Sequence, residues 1–351
     1  VVVVSGVDGL EESAAGRWLL THDPQSVVEG LLIGAYAVGA RRCFLAVEDD
    51  CELDSVEGLL AGLEGGGGPV ERLARAGVVL DLVVRRLPRS FILREPGALL
   101  AALEGRQALP DVRYCDPLVQ GWEGRPTVLE TVETLAAVAA VFWQEPGETA
   151  GWAGNGRSTS APLESRLLTV VDEGRSSVVK SVAFGTSLAE AVRQTIGNTP
   201  HELGVKVMQL GGPCGPFLAD QQFDIPLTSD LVERTAGVIG AASLRLFPGK
   251  VCGVQLAKDA MARLHAEACG KCAACYEGTR QLLAILSDLA EGTASADELE
   301  LALVLCRHLQ GAALCDLGRS APVPLLSCRE LFAEDFASHL EWGVCALEER
   351  A

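Results

Sequence analysis

No apolar run in this 351-residue chain approaches the ~18–20 residues a helix needs to cross a bilayer, which excludes a membrane span within it. Positive charge is also scarce. Lys and Arg number 29 against 47 Asp and Glu, for a formal net charge of −18. A surface so short of cations cannot neutralise a phosphate backbone, so nucleic acid is excluded as a partner. The acidity is spread along the chain without a block-like tail and reads as solvated surface. The opening VVVV has neither the basic start nor the small-residue cleavage site of a signal peptide, and reads as a strand. It also lacks a methionine, which leaves processing or an upstream segment open. No Walker motif, zinc-protease motif or nucleophile elbow is present. Internal repeats and coiled-coil heptads are missing too. Five histidines (His22, His201, His265, His308, His339) are scattered, none beside a Ser or Cys in a nucleophile context.

Cysteine, by contrast, is abundant: twelve in a chain without a secretory signal. That points to a reducing compartment and to metal use for some of them. The expected location is cytoplasmic, alone or as part of a membrane-associated complex. The decisive stretch is EACGKCAACYEGT, residues 267–279. Cys269, Cys272 and Cys275 stand at two successive C-x-x-C spacings, and Cys315 follows far downstream in Ala313-Leu314-Cys315-Asp316-Leu317-Gly318. Thiolates so close together cannot bridge one another comfortably, but three can hold corners of a compact cluster that a distant fourth closes. Zinc is the runner-up, although its structural sites more often pair two separate knuckles. Four buried small residues would be the plain alternative. The remaining cysteines (Cys43, Cys51, Cys115, Cys214, Cys252, Cys306, Cys328, Cys345) show no ligand spacing and read as small hydrophobes. His265, four residues before Cys269, lies within reach of the ladder, but a helix-surface histidine is the expected reading.

Along the chain, residues 1–4 read as a strand and residues 26–40 as a helix. Residues 42–47 return to a strand and residues 55–63 to a helix. The tetraglycine at 65–68 with Pro69 is a loop; no Lys-Ser/Thr follows it to make a phosphate cradle. A strand at 78–84 and a helix at 99–103 continue the alternation, which favours an α/β layer with a partly parallel sheet. After a helix at 132–141, residues 150–162 are small and turn-rich and read as a domain linker. Strands at 167–171 and 178–182, a helix at 188–196 and a strand at 205–210 suggest a small α+β module. Gly211-Gly212-Pro213 then forces a turn. From about Val251 the pattern is helical, with helices at 256–268, 279–289, 296–309 and 330–340. The ladder and Cys315 fall in different loops of this last part, so packing must bring them together.

EACGKCAACYEG resembles the E-S-C-G-x-C-x-P-C-R-x-G signature of the flavin- and NADH-binding 51 kDa-type subunit of respiratory complex I. The same subunit type occurs in NAD-linked hydrogenases and formate dehydrogenases. Leu314-Cys315-Asp316-Leu317-Gly318 is similar to its fourth-ligand segment. VMQLGGPCGPF at 207–217 resembles the G-G-P-S-G turn of its β-grasp module. GRPTVLETVETL at 124–135 resembles its G-K-P-T-x-x-x-N-V-E-T-L segment, and Asp23-Pro24 with Glu29-Gly30 its D-P-H…E-G. The resemblance covers nearly the whole chain. It implies a Rossmann-like α/β domain at 1–155, a small α+β β-grasp domain at 156–250, and a C-terminal four-helix bundle at 251–351 holding a [4Fe-4S] cluster on Cys269, Cys272, Cys275 and Cys315. It also implies partner subunits: a thioredoxin-like [2Fe-2S] subunit and a larger Fe–S or catalytic subunit.

The departures gather in the flavin pocket. The family's phosphate-holding loop, G-R-G-G-A-G-F-P-T-G, has no counterpart in these residues. Its N-x-D-E-x-E-P-G segment becomes Ser5-Gly6-Val7-Asp8-Gly9-Leu10-Glu11-Glu12, and its G-E-Y becomes Val47-Glu48-Asp49-Asp50. Its G-E-E-T-A-L turn becomes Arg94-Glu95-Pro96-Gly97-Ala98-Leu99, and the asparagine before V-E-T is Thr131. Glu95 and Glu133 keep family positions. The cluster segment changes only at Ala268, Ala274 and Tyr276; Tyr276 removes a positive charge beside the cluster and should lower its potential. The expectation is an electron-transfer Fe–S subunit without FMN or NADH. The alternatives are a flavin-dependent NADH:acceptor oxidoreductase subunit whose loop lies upstream of residue 1, and a structural subunit whose cluster relays nothing.

Overall fold

The computed structural model describes residues 1–10, 13–49, 58, 74–75, 77–112, 115–143, 151–152, 158–159, 165–172, 177–228 and 243–345. The chain divides into two compact units, Val1–Leu167 and Leu168–Ala351.

The first unit is built on a parallel sheet. Its strands β1 (Val2–Gly6), β2 (Arg42–Glu48), β3 (Asp81–Leu87) and β4 (Val128–Thr131) lie in the order β3-β2-β1-β4, every pairing parallel. Val2, Val3 and Val4, and Cys43 through Val47, are buried. Such unbroken burial, rather than alternation, marks parallel strands covered on both faces. β3 begins at Asp81 rather than Val78, because its register against β2 sets Asp81 opposite Arg42, where the two side chains pair at 2.8 Å.

Among the described residues the α-helices of this unit are α1 (Ala15–His22), α2 (Pro24–Ala37), α3 (Pro96–Leu103), α4 (Pro117–Gln120) and α5 (Val132–Trp143). Pro24 opens α2 where its missing N–H costs nothing, and Asp23 caps it, accepting from the Ser26 amide at 3.3 Å. Where α2 crosses α5, a Cβ on Gly30 would stand 1.8 Å from the Leu135 carbonyl oxygen. Only glycine permits that approach. The expected helix at 55–63, apart from Gly58, and the tetraglycine loop lie outside the described residues. Within the expected linker, β5 (Gly151–Trp152) and β6 (Ser158–Thr159) pair as a small antiparallel ribbon.

In the second unit, β7 (Ser165–Asp172), β8 (Val178–Ala183), β9 (Val205–Leu210), β10 (Phe217–Ala219) and β11 (Ser243–Pro248) form a mixed sheet ordered β10-β9-β11-β7-β8. β9 runs antiparallel to both neighbours, and β11 is parallel to β7. Helix α6 (Leu188–Ile196) lays Leu188, Ala191 and Val192 against this sheet. Six helices follow among the described residues: α7 (Gly253–Ala266), α8 (Ala273–Ala290), α9 (Ala296–Ala312), α10 (Asp316–Ser320), α11 (Pro322–Leu331) and α12 (Ala333–Trp342). Four were expected. The expected 330–340 helix breaks at Phe332, whose φ of −123° and ψ of 42° are not helical. Pro322 starts α11, an element that the prolines at 322 and 324 hid from the pattern.

Sheet and helices share one core in which Val207, Phe217 and Phe247 meet Leu282, Leu286, Leu309 and Leu325. The described residues from 168 to 250 and those after 250 both belong to this second unit. Cys306 and Cys328 are buried in that core. No helix among the described residues is long and apolar enough to cross a membrane.

Candidate metal centre

Three local devices carry the cysteine ladder. Gly270, between Cys269 and Cys272, has φ +75°, a left-handed turn that glycine adopts without strain. Cys272 stands at the N-cap of α8 and Cys275 in its first turn. Cys315 is the N-cap of α10, directly after α9 ends. Two of the four cysteines thus sit at helix N-termini, where backbone amides favour a thiolate.

Packing then brings α10 onto α8. A Cβ on Gly318 would lie 2.5 Å from Ala313 Cβ, 3.0 Å from Cys275 Cβ and 3.2 Å from Cys275 Sγ. The glycine of Leu-Cys-Asp-Leu-Gly is there because Cys275 is. Burial pushes the Cys275 thiol up to about 12, and Cys272, Cys315 and Cys269 push it the same way. Burial also raises Cys315; the amides of Gly318 and Leu317 pull it down, while Cys269 and Cys272 raise it again. Cys275 and Cys315 thus each feel the other thiols of the ladder. Metal binding would release their protons.

One tetrahedral zinc with bonds of ~2.3 Å holds its sulfurs about 3.8 Å apart. Among the described residues, the groups whose ligand atoms all lie within 4.8 Å of one another do not include these cysteines. Four cysteines are also the donor set of a cluster in which each takes its own iron.

Supports for the site escaped the sequence reading. Arg319 donates through Nε to the Ala313 carbonyl at 3.2 Å and through Nη2 to the Leu314 carbonyl at 2.8 Å, clasping the turn that delivers Cys315. Thr279 Oγ1 donates to the Cys275 carbonyl at 2.8 Å, and His265 Nδ1 meets that hydroxyl at 3.0 Å. His265 also rests on Tyr276, with ring centroids 5.2 Å apart. It therefore faces the ladder's helix rather than open solvent. Arginine four residues after a cysteine is too common a pattern to flag these roles.

In the first unit, the segments compared above with the family's flavin pocket are held by hydrogen bonds among the chain's own groups. Asp8, buried at the start of α1, accepts from the amides of Gly16 and Arg17, each at 2.9 Å. Burial raises its carboxyl to about 6 against the pull of those amides, with Glu48 adding to the rise. Glu48, also buried, accepts from the Gly9 amide at 2.7 Å and from Arg89 Nε at 3.1 Å. Arg94 Nη1 donates to the Asp8 carbonyl at 3.0 Å, and the Arg94 stem lies so close to Gly9 that a Cβ there would be 2.9 Å from Arg94 Cγ. Glu95 caps α3, accepting from the Ala98 amide at 2.6 Å. Glu133 accepts from the Leu167 amide at 3.2 Å and faces Arg166; burial raises its carboxyl above the usual range. Both glutamates hold backbone in place, a role that the sequence left undecided.

Residues 1–140 match the Nuo51 FMN-binding domain, and residues 255–339 match the NADH-ubiquinone oxidoreductase-F iron–sulfur binding region. In both regions the chain is similar to complex I 51 kDa-type subunits. Among its relatives, the NADP-reducing hydrogenase subunit HndC of Solidesulfovibrio fructosivorans is 26% identical over 345 residues, spanning 98% of this chain and 69% of the relative. An NADH-quinone oxidoreductase subunit of Mycobacterium tuberculosis (strain ATCC 25618 / H37Rv) is 29% identical over 340 residues, spanning 95% and 74%. An NAD+-reducing [NiFe]-hydrogenase structure in the air-oxidized state superposes with a TM-score of 0.76 at 25% identity, over 97% of this chain. This chain spans only 56% of that hydrogenase chain. The stretch that matches the iron–sulfur region contains the ladder at 269–275 and Cys315, and the stretch that matches the FMN-binding domain contains Asp8, Glu48 and Arg94.

Proposed function

We propose that this chain is an electron-transfer subunit of a multi-subunit oxidoreductase. In this reading it holds one [4Fe-4S] cluster on Cys269, Cys272, Cys275 and Cys315 and has no FMN or NADH of its own. The carrying observation is a contrast. Cys269, Cys272 and Cys275 lie in or just before the first turn of α8, and Cys315 caps α10, which packs on Cys275 through Gly318. In the first unit, Asp8 engages the Gly16 and Arg17 amides and Arg94 engages the Asp8 carbonyl, so these groups are satisfied within the chain.

The cluster, when bound, supplies a one-electron couple. The chain's part is to hold it. Buried Cys275 and Cys315 keep water from two corners, half-exposed Cys269 and Cys272 leave the opposite side open for electron exchange, and Arg319 fixes the Cys315 turn. Tyr276 in place of the family arginine leaves no cation at that position, which lowers the potential. Two-electron chemistry then belongs to a larger Fe–S or catalytic partner, with a thioredoxin-like [2Fe-2S] subunit as the other neighbour. Residues 1–155 would be a degenerate Rossmann-like flavin domain, 156–250 a β-grasp domain and 251–351 the cluster domain.

A second reading is favoured by the Nuo51 FMN-binding match at residues 1–140. Here the chain is a flavin-dependent NADH:acceptor oxidoreductase subunit whose phosphate loop lies upstream of residue 1. Anaerobic purification of the native protein separates the two. The first reading gives about four irons and four sulfides per chain, no extractable FMN and no NADH-dependent dye reduction. Stoichiometric FMN with NADH-dependent activity establishes the second reading and ends the first.

A further inference from the structure

The second unit contains another group of soft ligands, remote in sequence from one another. Cys252 is the N-cap of α7, His339 lies near the end of α12, and Cys345 follows the turn beyond it. One ligand atom from each falls within 4.8 Å of the other two. We propose that Cys252, His339 and Cys345 form a mononuclear zinc site, separate from the four-cysteine ladder.

Distances support a single ion. Cys252 Sγ and His339 Nε2 are 3.4 Å apart. Around one tetrahedral zinc, bonds of ~2.3 Å to sulfur and ~2.0 Å to nitrogen put such a pair about 3.5 Å apart. The ladder thiols form no group this tight among the described residues.

The polar inventory supports an ion as well. His339 is buried to 4% exposure, and its Nδ1 has no hydrogen-bond partner. A buried imidazole held only by a thiol is poorly satisfied, and such a group calls for an explanation. Coordination through Nε2 supplies the strong partner it lacks. Zinc taken up by two thiols and a neutral imidazole releases two protons to solvent, and the site is then uncharged. No oxidant or reductant is needed.

The backbone is arranged to deliver Cys345. Gly343 ends α12 with φ +66°, turning the chain back. Gly292 is packed against it so closely that a Cβ there would be 2.2 Å from the Gly343 oxygen. Ser338 Oγ donates to the Val344 carbonyl at 2.9 Å and holds the returning segment. A cavity of about 240 Å³, with Gln255 on its wall, adjoins all three ligands. It has room for a water as the fourth ligand. The ion would tie the first helix of the helical array to the segment that follows its last.

Metal analysis of the native protein, purified without chelator, tests this. The expected result is about one zinc per chain beside the iron, with Co(II) exchanged into the protein giving the intense visible bands of a tetrahedral thiolate complex. Cys345→Ser and Cys252→Ser should each lose the zinc and keep the iron, whereas Cys315→Ala should lose the iron and keep the zinc. Cys345 is half-exposed, so its variant removes little packing. The proposal is overturned if zinc is missing and cobalt gives no such bands, or if zinc disappears with Cys315→Ala but survives Cys345→Ser. A Cys252–Cys345 disulfide in the anaerobically purified protein, found by alkylation and mass spectrometry, overturns it equally.

Discussion

Replacing Gly318 by alanine tests the packing that creates the cluster site. The new methyl would sit 2.5 Å from Ala313 Cβ and 3.0 Å from Cys275 Cβ. Carbon atoms prefer about 3.5–4.0 Å, so α10 must retreat from α8 by roughly an ångström. Gly318 is not among the left-handed glycines, so the clash alone sets the cost. Overpacking of this kind costs about 1–3 kcal/mol. For a unit of this size that is roughly 2–4 °C in Tm per kcal/mol. Because α10 is a short helix whose N-cap is Cys315, the retreat carries one cysteine away from the other three. Gly311→Ala is the matched control: it lies in α9 with nothing within 4 Å of its Cβ, so helix propensity should gain about 0.5–1 kcal/mol. The assay is iron per chain after anaerobic reconstitution, with thermal unfolding of the iron-free and iron-loaded forms. Gly318→Ala should lower both iron content and Tm, and Gly311→Ala should lower neither. If Gly318→Ala retains full iron and an unchanged Tm, the contact between the Cys315 turn and Cys275 is wrong.

Cys315→Ala should abolish iron binding, whereas Cys306→Ala, Cys328→Ala and Cys345→Ala should retain about four irons, as measured by iron and sulfide analysis. Arg319→Ala removes the donors to two backbone carbonyls flanking Cys315; it should cost about 1–3 kcal/mol and speed loss of the cluster absorbance in air, with Arg319→Lys restoring little. For Asp8, the folded carboxyl lies near 6 against an ordinary 3.8. The folded state therefore keeps a proton that the unfolded state has released. Its stabilising contribution is full below pH 3.8 and lost as pH rises through about 6. The loss is at most about 3 kcal/mol. Urea unfolding across this range should show that decline in the native chain and less of it in Asp8→Asn; identical profiles would contradict the burial argument. Gly30→Ala, which drives a Cβ into the Leu135 carbonyl, should cost about 3 kcal/mol or more and leave little folded first unit in a urea melt.

What the sequence could reveal followed the range of the forces involved. α6 and β9 begin and end where residue pattern alone put them, because a buried stripe and a buried run are local signals. β10 has only three residues, too few for any period to register. The break in the last helix at Phe332 is likewise set by packing rather than propensity. The ladder was legible because its three cysteines follow one another at C-x-x-C spacing. Cys315 could be named as the distant fourth thiol, and by resemblance, but the Gly318–Cys275 contact that places it is tertiary. Cys252 and His339 are 87 residues apart, so no spacing rule links them, and all three members of that group read as isolated residues. Arg94 was visible as a bulky replacement for glycine, but the structure was needed to place its guanidinium on the Asp8 carbonyl.

Low-temperature electron paramagnetic resonance of the native protein, purified anaerobically, tests the central claim most directly. With dithionite, the account predicts one cluster spin per chain, a signal that Cys315→Ala lacks. With NADH alone it predicts none, because in the proposed reading the chain carries no flavin to accept a hydride. A full cluster signal with NADH as the only reductant would contradict the account.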